Sequence, residues 1–232
     1  MENVSFLLAS NSPRRKQMLS WMGFQFRSQP AEIDENPKIG EHPAIYVRRL
    51  AVQKATASRA NGLPNEWVIA ADTIVADGAE LLGKPVDEAD ARRMLLQLRD
   101  KTHQVYSALA ILPPDSNQTI QDICCEDVKM RNYTDEEIEA YITTGDPLDK
   151  AGAYAIQNQA FKPVVDMKGC FACIMGLPMC HLMRTLSKAG LQIDINISEL
   201  CQRNLNYTCS VQSQVLAWQS PYLAMSVLFK RL

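Results

Sequence analysis

Two arginines, two serines and one aspartate carry the first chemical signal in this chain. Ser10-Asn-Ser-Pro-Arg-Arg15 follows directly on the short apolar run Val4-Ser-Phe-Leu-Leu-Ala9, which reads as a buried strand. Ser12 suits a helix N-cap, Pro13 the first helical position and Gly23 the residue just past the end. Arg14 and Arg15 therefore fall in the first turn of a helix, where the helix dipole disfavours cations. Free backbone N–H groups at a helix start, joined by two guanidinium forks, make a phosphate site instead. The plain alternative is two solvated surface arginines. Asp72 stands inside Val68-Ile-Ala-Ala-Asp-Thr-Ile-Val75. An acid in so apolar a strand has to be paired, protonated or used to hold a metal, because burying a lone carboxylate costs too much. Otherwise the strand is half exposed and Asp72 faces water.

Other residues are less specific. Lys84 lies in Gly83-Lys-Pro85 after a turn, Glu35 in the acidic stretch Glu32-Ile-Asp-Glu-Asn36, and Lys54 in Ala51-Val-Gln-Lys-Ala55. Taken singly, each reads as a surface turn, an acidic loop and a snorkelling side chain. Gln157 ends Gly152-Ala-Tyr-Ala-Ile-Gln157, a run too small and polar for an ordinary strand and suited to a loop lining a ligand. His103 and His181 have no His or Glu partner at helical metal-ligand spacing and read as ordinary core or surface histidines. Cys170 and Cys173 have the spacing of half a zinc site without its second pair, and Cys180, Cys201 and Cys209 leave a metal role open.

The elements needed to position these groups follow from periodicity. A helix is expected over about 44–61, with Ile45, Val47, Leu50, Ala51 and Ala55 as its apolar stripe. A strand over 67–75 ends in a turn at Asp77-Gly78, and a helix follows over 88–98. Two strands, 104–112 and 124–130, flank the loop Pro113-Pro-Asp-Ser-Asn117. Thr134-Asp-Glu-Glu137 is a capping box opening a helix that stops near Gly145. A strand is expected over 161–168 and a helix over 177–188. After Ile193 the pattern dissolves into Asn- and Gln-rich stretches around Cys201 and Cys209. An apolar segment then runs from Val215 to Leu228, open to reading as a docked helix, a partner-binding segment or a frayed tail. Strands alternating with helices point to a mixed α/β sheet.

Composition narrows the class. With 24 Lys and Arg against 26 Asp and Glu, the net charge of −2 argues against broad phosphate-backbone binding, so no nucleic-acid partner is expected. No apolar stretch reaches membrane-spanning length and the start lacks the basic region of a secretory signal. Seven cysteines, an odd number, fit a reduced cytoplasmic protein better than a disulfide scaffold.

Taken in order, nine segments resemble the Maf family of nucleotide pyrophosphatases: Leu8–Arg15, Ile33–Glu35, Leu50–Ala55, Ala70–Thr73, Gly83–Pro85, Thr102–Tyr106, Pro147–Tyr154, Ile156-Gln157 and Met175–Pro178. The resemblance implies an α/β fold with an elongated mixed β-sheet and flanking helices in two lobes around a cleft, akin to the inosine triphosphate pyrophosphatases. It assigns residues 1–192 to the enzyme domain and leaves 193–232 as a C-terminal extension of unknown role. It also implies cleavage of a nucleoside triphosphate between its α and β phosphates, with a divalent cation, Mg²⁺ or Mn²⁺, as cofactor. Asp72 matches the catalytic acid, and Glu35 with Asp72 the metal site. Ser10, Arg14, Arg15, Lys54 and Lys84 match the phosphate contacts, and Gln157 a residue that sets base preference. Thr73, in Ala-Asp-Thr, matches the dTTP/UTP branch. The other readings are a pyrophosphatase for 7-methyl-GTP or another modified nucleotide, and a non-catalytic nucleotide-binding regulator of cell division. A homodimer is compatible with the sequence. The chain departs from the family pattern at Ala155-Ile-Gln-Asn158 and at Gly169-Cys-Phe-Ala-Cys-Ile174.

Overall fold

The most apolar run of the chain forms its central strand. The computed structural model describes residues 4–63 and 65–217. β1 (Ser5–Leu8) leads into α1 (Pro13–Ser20), β2 (Phe26–Ser28) and α2 (Pro43–Arg59). β3 (Glu66–Asp77), β4 (Glu80–Leu82), α3 (Glu88–Leu98), β5 (Thr102–Leu112) and β6 (Ile120–Met130) follow. After α4 (Asp135–Thr143) come two 3₁₀ turns, Asp146–Asp149 and Ala151–Ala153, and then β7 (Val164–Asp166). Four helices close the described chain: α5 (Phe171–Met175), α6 (Met179–Lys188), α7 (Ile197–Leu205) and α8 (Gln212–Ala217).

The sheet runs β2-β1-β3-β5-β6-β7, with β4 also paired to β3. β1 is parallel to β2 and β3, and every other pairing is antiparallel, so the sheet is mixed, as expected. β3, β5 and β6 are long enough, at about 3.4 Å per residue, to carry two lobes. Near one end, Ile69, Leu109 and Phe6 pack beneath α1, α6 and α7, while Val68, Ala70 and Ala108 pack against α2 on the opposite face. Toward the other end, Val75, Val105 and Val128 join α3 and α4 in a separate apolar cluster.

The edge of β3 has a gap. β1 stops pairing at Ile69 and β4 starts at Val75, both on the edge away from β5. Among the described residues no strand covers 70–74 on that edge, and Asp72 and Thr73 lie in this notch between the lobes. Because a strand alternates its faces, Asp72 shares the side of Val68, Ala70 and Ile74 and faces α2. Thr73 shares the side of Ile69 and Ala71 and faces α5.

Local signals mostly hold. Ser12 Oγ accepts from Arg15 N, and Thr134 and Glu137 complete both halves of the capping box. Three expectations need correction. Ile45 faces outward, whereas Val47, Leu50, Ala51 and Ala55 are buried. The strand expected over 161–168 shortens to three residues, because Lys162 takes a positive φ of 46° and Pro163 follows it. The helix expected from Leu177 starts at Met179, and a separate α5 precedes it. Gly176, at φ +99°, ends α5, and Pro178 caps the next helix. The Asn and Gln residues near the end serve as caps: Asn196 Oδ1 accepts from Glu199 N, and Gln202 Oε1 from Cys209 N. Ile197 and Cys201 of α7 pack into the same apolar cluster as α6. Of the apolar segment from Val215 onward, residues 218–228 lie outside the described residues.

Gly152 packs closely against β3, and its N–H donates to Gly83 O at 3.0 Å. Its φ is +68°, and a Cβ there would lie 2.8 Å from Val75 Cγ2. Gly152→Ala is therefore expected to lower unfolding free energy by about 1–3 kcal/mol, read as a lower urea midpoint at unchanged slope. An unchanged midpoint would show that the turn relaxes freely.

Candidate active site

The notch opens into a cleft of about 540 Å³ whose lining includes Ser10, Arg14, Arg15, Glu35, Lys54, Asp72, Thr73, Lys84 and Gln157. Six separate stretches of chain thus meet on one surface. Tyr46, Asp149, Lys150 and Gly176 also line it.

Asp72 is only 6% exposed. Lys54 Nζ donates to Asp72 Oδ1 at 2.6 Å and lies 2.9 Å from Glu35 Oε1, so one ammonium spans both carboxylates. The helix makes this possible. Lys54 follows Val47, Leu50 and Ala51 at spacings of seven, four and three residues and therefore shares their inward stripe. Burial raises the Asp72 pKa above the ordinary carboxylate value, and the neighbouring Lys54 and Arg15 charges pull it only part of the way back. The Glu35 loop is tied down at two points. Tyr46 Oη donates to Glu35 O at 2.8 Å, and Arg49 Nη2 donates to Asn36 O at 3.1 Å. Burial and the nearby Asp72 and Glu35 charges push the Tyr46 phenol up to about 12, which keeps it a donor.

The two arginines divide their work. Arg15 is a strut: Nε donates to Gly176 O at 2.9 Å, Nη1 to Ser10 Oγ at 3.3 Å and Nη2 to Thr73 Oγ1 at 3.0 Å. Burial lowers its pKa and Asp72 opposes the shift; a guanidinium stays charged regardless. The Arg14 side chain is 22% exposed and, among the described residues, pairs only with Asp149, at 3.9 Å. An ion pair that long and wet is weak, so Arg14 is available to an anion. Lys84 has no carboxylate partner among the described residues. Lys150 does: it is buried against Asp146 and Asp149. The Gln157 amide makes no hydrogen bond among the described residues. The loop after it is set by Asn158, whose Oδ1 accepts from Ala160 N at 3.1 Å and Phe161 N at 2.8 Å.

Sequence reasoning did not single out Tyr46, Ser107, Asp149 or Lys150. Ser107 is fully buried and bonded to Thr73 and Cys173. A hydroxyl within Val105-Tyr-Ser-Ala-Leu-Ala110 is the same signal that drew attention to Asp72. Lys150 was hidden because its partners, Asp146 and Asp149, make a local cluster that reads as a solvated surface.

The histidines lie away from the cleft. His103 Nε2 pairs with Tyr154 Oη at 2.8 Å, and burial pushes each of His103 and His181 down to about 4. All seven cysteines are free thiols. Among the described residues no group of three or more His, Cys, Asp and Glu side chains is placed to hold a metal ion. Glu35 and Asp72 offer carboxylate oxygens, the donor type of a hard cation of the Mg²⁺ kind, with Lys54 Nζ standing between them. Such ions take one or two carboxylates and complete their shell from substrate phosphates and water.

A family model described as "Maf-like protein" matches residues 5–189. The dTTP/UTP pyrophosphatase of Pasteurella multocida (strain Pm70) is 40% identical over 201 residues, covering 83% of this chain and 100% of that protein. The dTTP/UTP pyrophosphatase of Shewanella sp. (strain MR-7) is 41% identical over 196 residues, covering 82% and 100%. Among solved structures, the Staphylococcus aureus Ham1 protein aligns at 15% identity and a TM-score of 0.41, covering 55% of this chain and 72% of that one.

The split between the arginines is measurable. Arg15→Lys is expected to lower stability by about 2 kcal/mol, because it strips donors from buried acceptors. Arg14→Ala should stay within about 0.5 kcal/mol of wild type. Urea unfolding of both variants decides the matter; equal losses would contradict it.

Proposed function

We propose that this chain, which belongs to the Maf family, hydrolyses dTTP and UTP between the α and β phosphates to give the nucleoside monophosphate and pyrophosphate. The observation that carries this reading is the buried carboxylate of Asp72, facing a cleft that also holds the available cations Arg14 and Lys84. The relatives named for dTTP and UTP match this chain over their whole length, which supports the choice of nucleotide.

The chemistry asks for a water nucleophile and for neutralisation of a crowded triphosphate. Asp72 orients that water and takes its proton; the raised pKa makes it a stronger base than an ordinary carboxylate. Lys54 keeps Asp72 ionised and presents its ammonium toward the phosphates. Ser10, whose Oγ already accepts from Ser12 N at 3.1 Å and from Arg15 Nη1, has its proton left to donate to a phosphate oxygen. Arg14 and Lys84 balance charge on the phosphate chain and on the departing pyrophosphate, and Gln157 offers its amide to the base. Glu35 and Asp72 would hold a divalent cation, which when bound supplies charge neutralisation and a more acidic water. Seven free thiols accord with a reducing, cytoplasmic setting.

Two measurements test this. With Mg²⁺ or Mn²⁺, nucleotide consumption across dTTP, UTP, CTP, GTP, ATP, 7-methyl-GTP and ITP should peak on dTTP and UTP; a peak on a purine would overturn the substrate assignment. Asp72→Asn should lower kcat roughly a hundredfold or more while the protein stays folded by circular dichroism. Near wild-type turnover in that variant would remove Asp72 from the mechanism.

A further inference from the structure

α5 is only five residues long, yet its end supports the cleft. Gly176 O accepts from Arg15 Nε at 2.9 Å, and Cys173 O from Ser107 Oγ at 2.6 Å. A helix this short is marginal in water on its own, and no side chain caps its start at Cys170. Its position has to come from neighbours. One of them is Glu126 of β6, whose Oε1 accepts from Cys170 N at 2.9 Å. The approach is close: a Cβ on Gly169 would lie 2.0 Å from Glu126 Oε2.

The other is Tyr207, which lies beyond the family match ending at residue 189. Its hydroxyl accepts from Gly169 N at 3.1 Å and shares its proton between Met167 O at 2.9 Å and Gly169 O at 3.0 Å. Its ring meets that of Phe171, the first residue of α5, with 5.3 Å between centroids. Burial pushes the phenol up to about 12, so the proton stays in place. Tyr207 is itself fixed. Asn206, at φ 48°, ends α7 and turns the chain back. Tyr207 N then donates to Gln202 O at 3.1 Å, and Cys209 N to Gln202 Oε1 at 2.9 Å. α7 is anchored in turn by Ile197 and Cys201, which pack into the apolar cluster of α6.

Hydrogen bonds run through α5 from one end to the other. Cys173 N donates to Cys170 O at 3.0 Å and Gly176 N to Cys173 O at 3.0 Å, and Gly176 O takes Arg15 Nε. At 1.5 Å per residue α5 is about 8 Å long, too short to absorb a shift at its start by bending.

We propose that the C-terminal extension is a buttress of the active site. Tyr207 is the positioning residue through which it holds α5 and hence the Arg15 guanidinium. The proposal rests on the function proposed above only for its effect on turnover; its effect on Arg15 does not depend on the substrate.

The test reads the Arg15 Nε–H in the full-length chain by proton–nitrogen NMR, as its rate of exchange with solvent. The signal is assigned by its loss in Arg15→Lys. Tyr207→Phe keeps the ring and leaves Gly169 N–H and Met167 O unpaired. Exchange of the Arg15 Nε–H should quicken about tenfold, while that of Arg27 Nε–H in β2, bonded to Glu66 at 2.9 Å, stays as in the wild type. The KM for UTP should rise severalfold with kcat little changed, because Arg15 holds Ser10 for the phosphates in ground state and transition state alike. Thr134→Ala, which removes the cap of α4 at the other end of the sheet, lowers global stability and should leave Arg15 exchange unchanged. Gln202→Leu frees Cys209 N and loosens the turn that carries Tyr207. It should quicken Arg15 exchange as well, and serves if Tyr207→Phe does not fold. Arg15 exchange at the wild-type rate in folded Tyr207→Phe, or Arg15 and Arg27 quickened alike, overturns the proposal. A wild type that cleaves no nucleotide overturns the pyrophosphatase reading instead, and the exchange rates still decide the buttress.

Discussion

The structure turns on one constraint: a carboxylate has to stay charged inside an apolar strand. Asp72 has apolar or small neighbours along β3, and burial raises its pKa against the charged form. Lys54 reaches it directly, and Arg15 lies close enough to act on it through its charge. The rest of the architecture follows from supplying those two cations. Lys54 sits on the inward stripe of α2, where a lysine is otherwise out of place, and the gap in the β3 edge between β1 and β4 gives the carboxylate a path to solvent and ligand. Without the gap Asp72 would be a defect in a sheet; with it, Asp72 is the reactive end of a cleft.

Fixing polarity is the second theme. Hydroxyl groups are ambivalent, but Ser10 and Thr73 are each bonded in a way that removes the ambiguity. Ser10 has accepted twice and keeps a proton, which suits phosphate. Thr73 accepts from Arg15 and, because Ser107 gives its only proton to Cys173 O, donates to Ser107. Arg15 donates to both hydroxyls from one guanidinium fork. Its place in the first turn of α1, unfavourable to the helix dipole, is explained by these three buried acceptors. The half-buried Arg14 beside it, only weakly paired with Asp149, keeps the freedom that an anion contact requires.

Much of this was legible before any coordinates. Ser12, Pro13 and Gly23 bound α1 through local chemistry, the capping box at Thr134 and Glu137 did the same for α4, and Asp72 stood out because an acid among Val, Ile and Ala is costly. What stayed hidden was set by distance along the chain. Arg15 meets Gly176 across 161 positions, so nothing near Arg15 marks it as a strut. Ser107 acquires its role only when β5 pairs with β3, placing it opposite Thr73. The break between α5 and α6 depends on the positive φ of Gly176, which periodicity does not register. The Asn- and Gln-rich tail looked patternless because those residues cap and bridge turns and do not repeat along a face.

The central claim, that this cleft directs water to the link between the α and β phosphates, is tested most directly by identifying the bond that breaks. Phosphorus NMR of UTP incubated with the purified protein and Mg²⁺ should show the pyrophosphate signal growing in step with that of UMP. Growth of UDP and inorganic phosphate instead would place the cut at the outer phosphate and contradict the account.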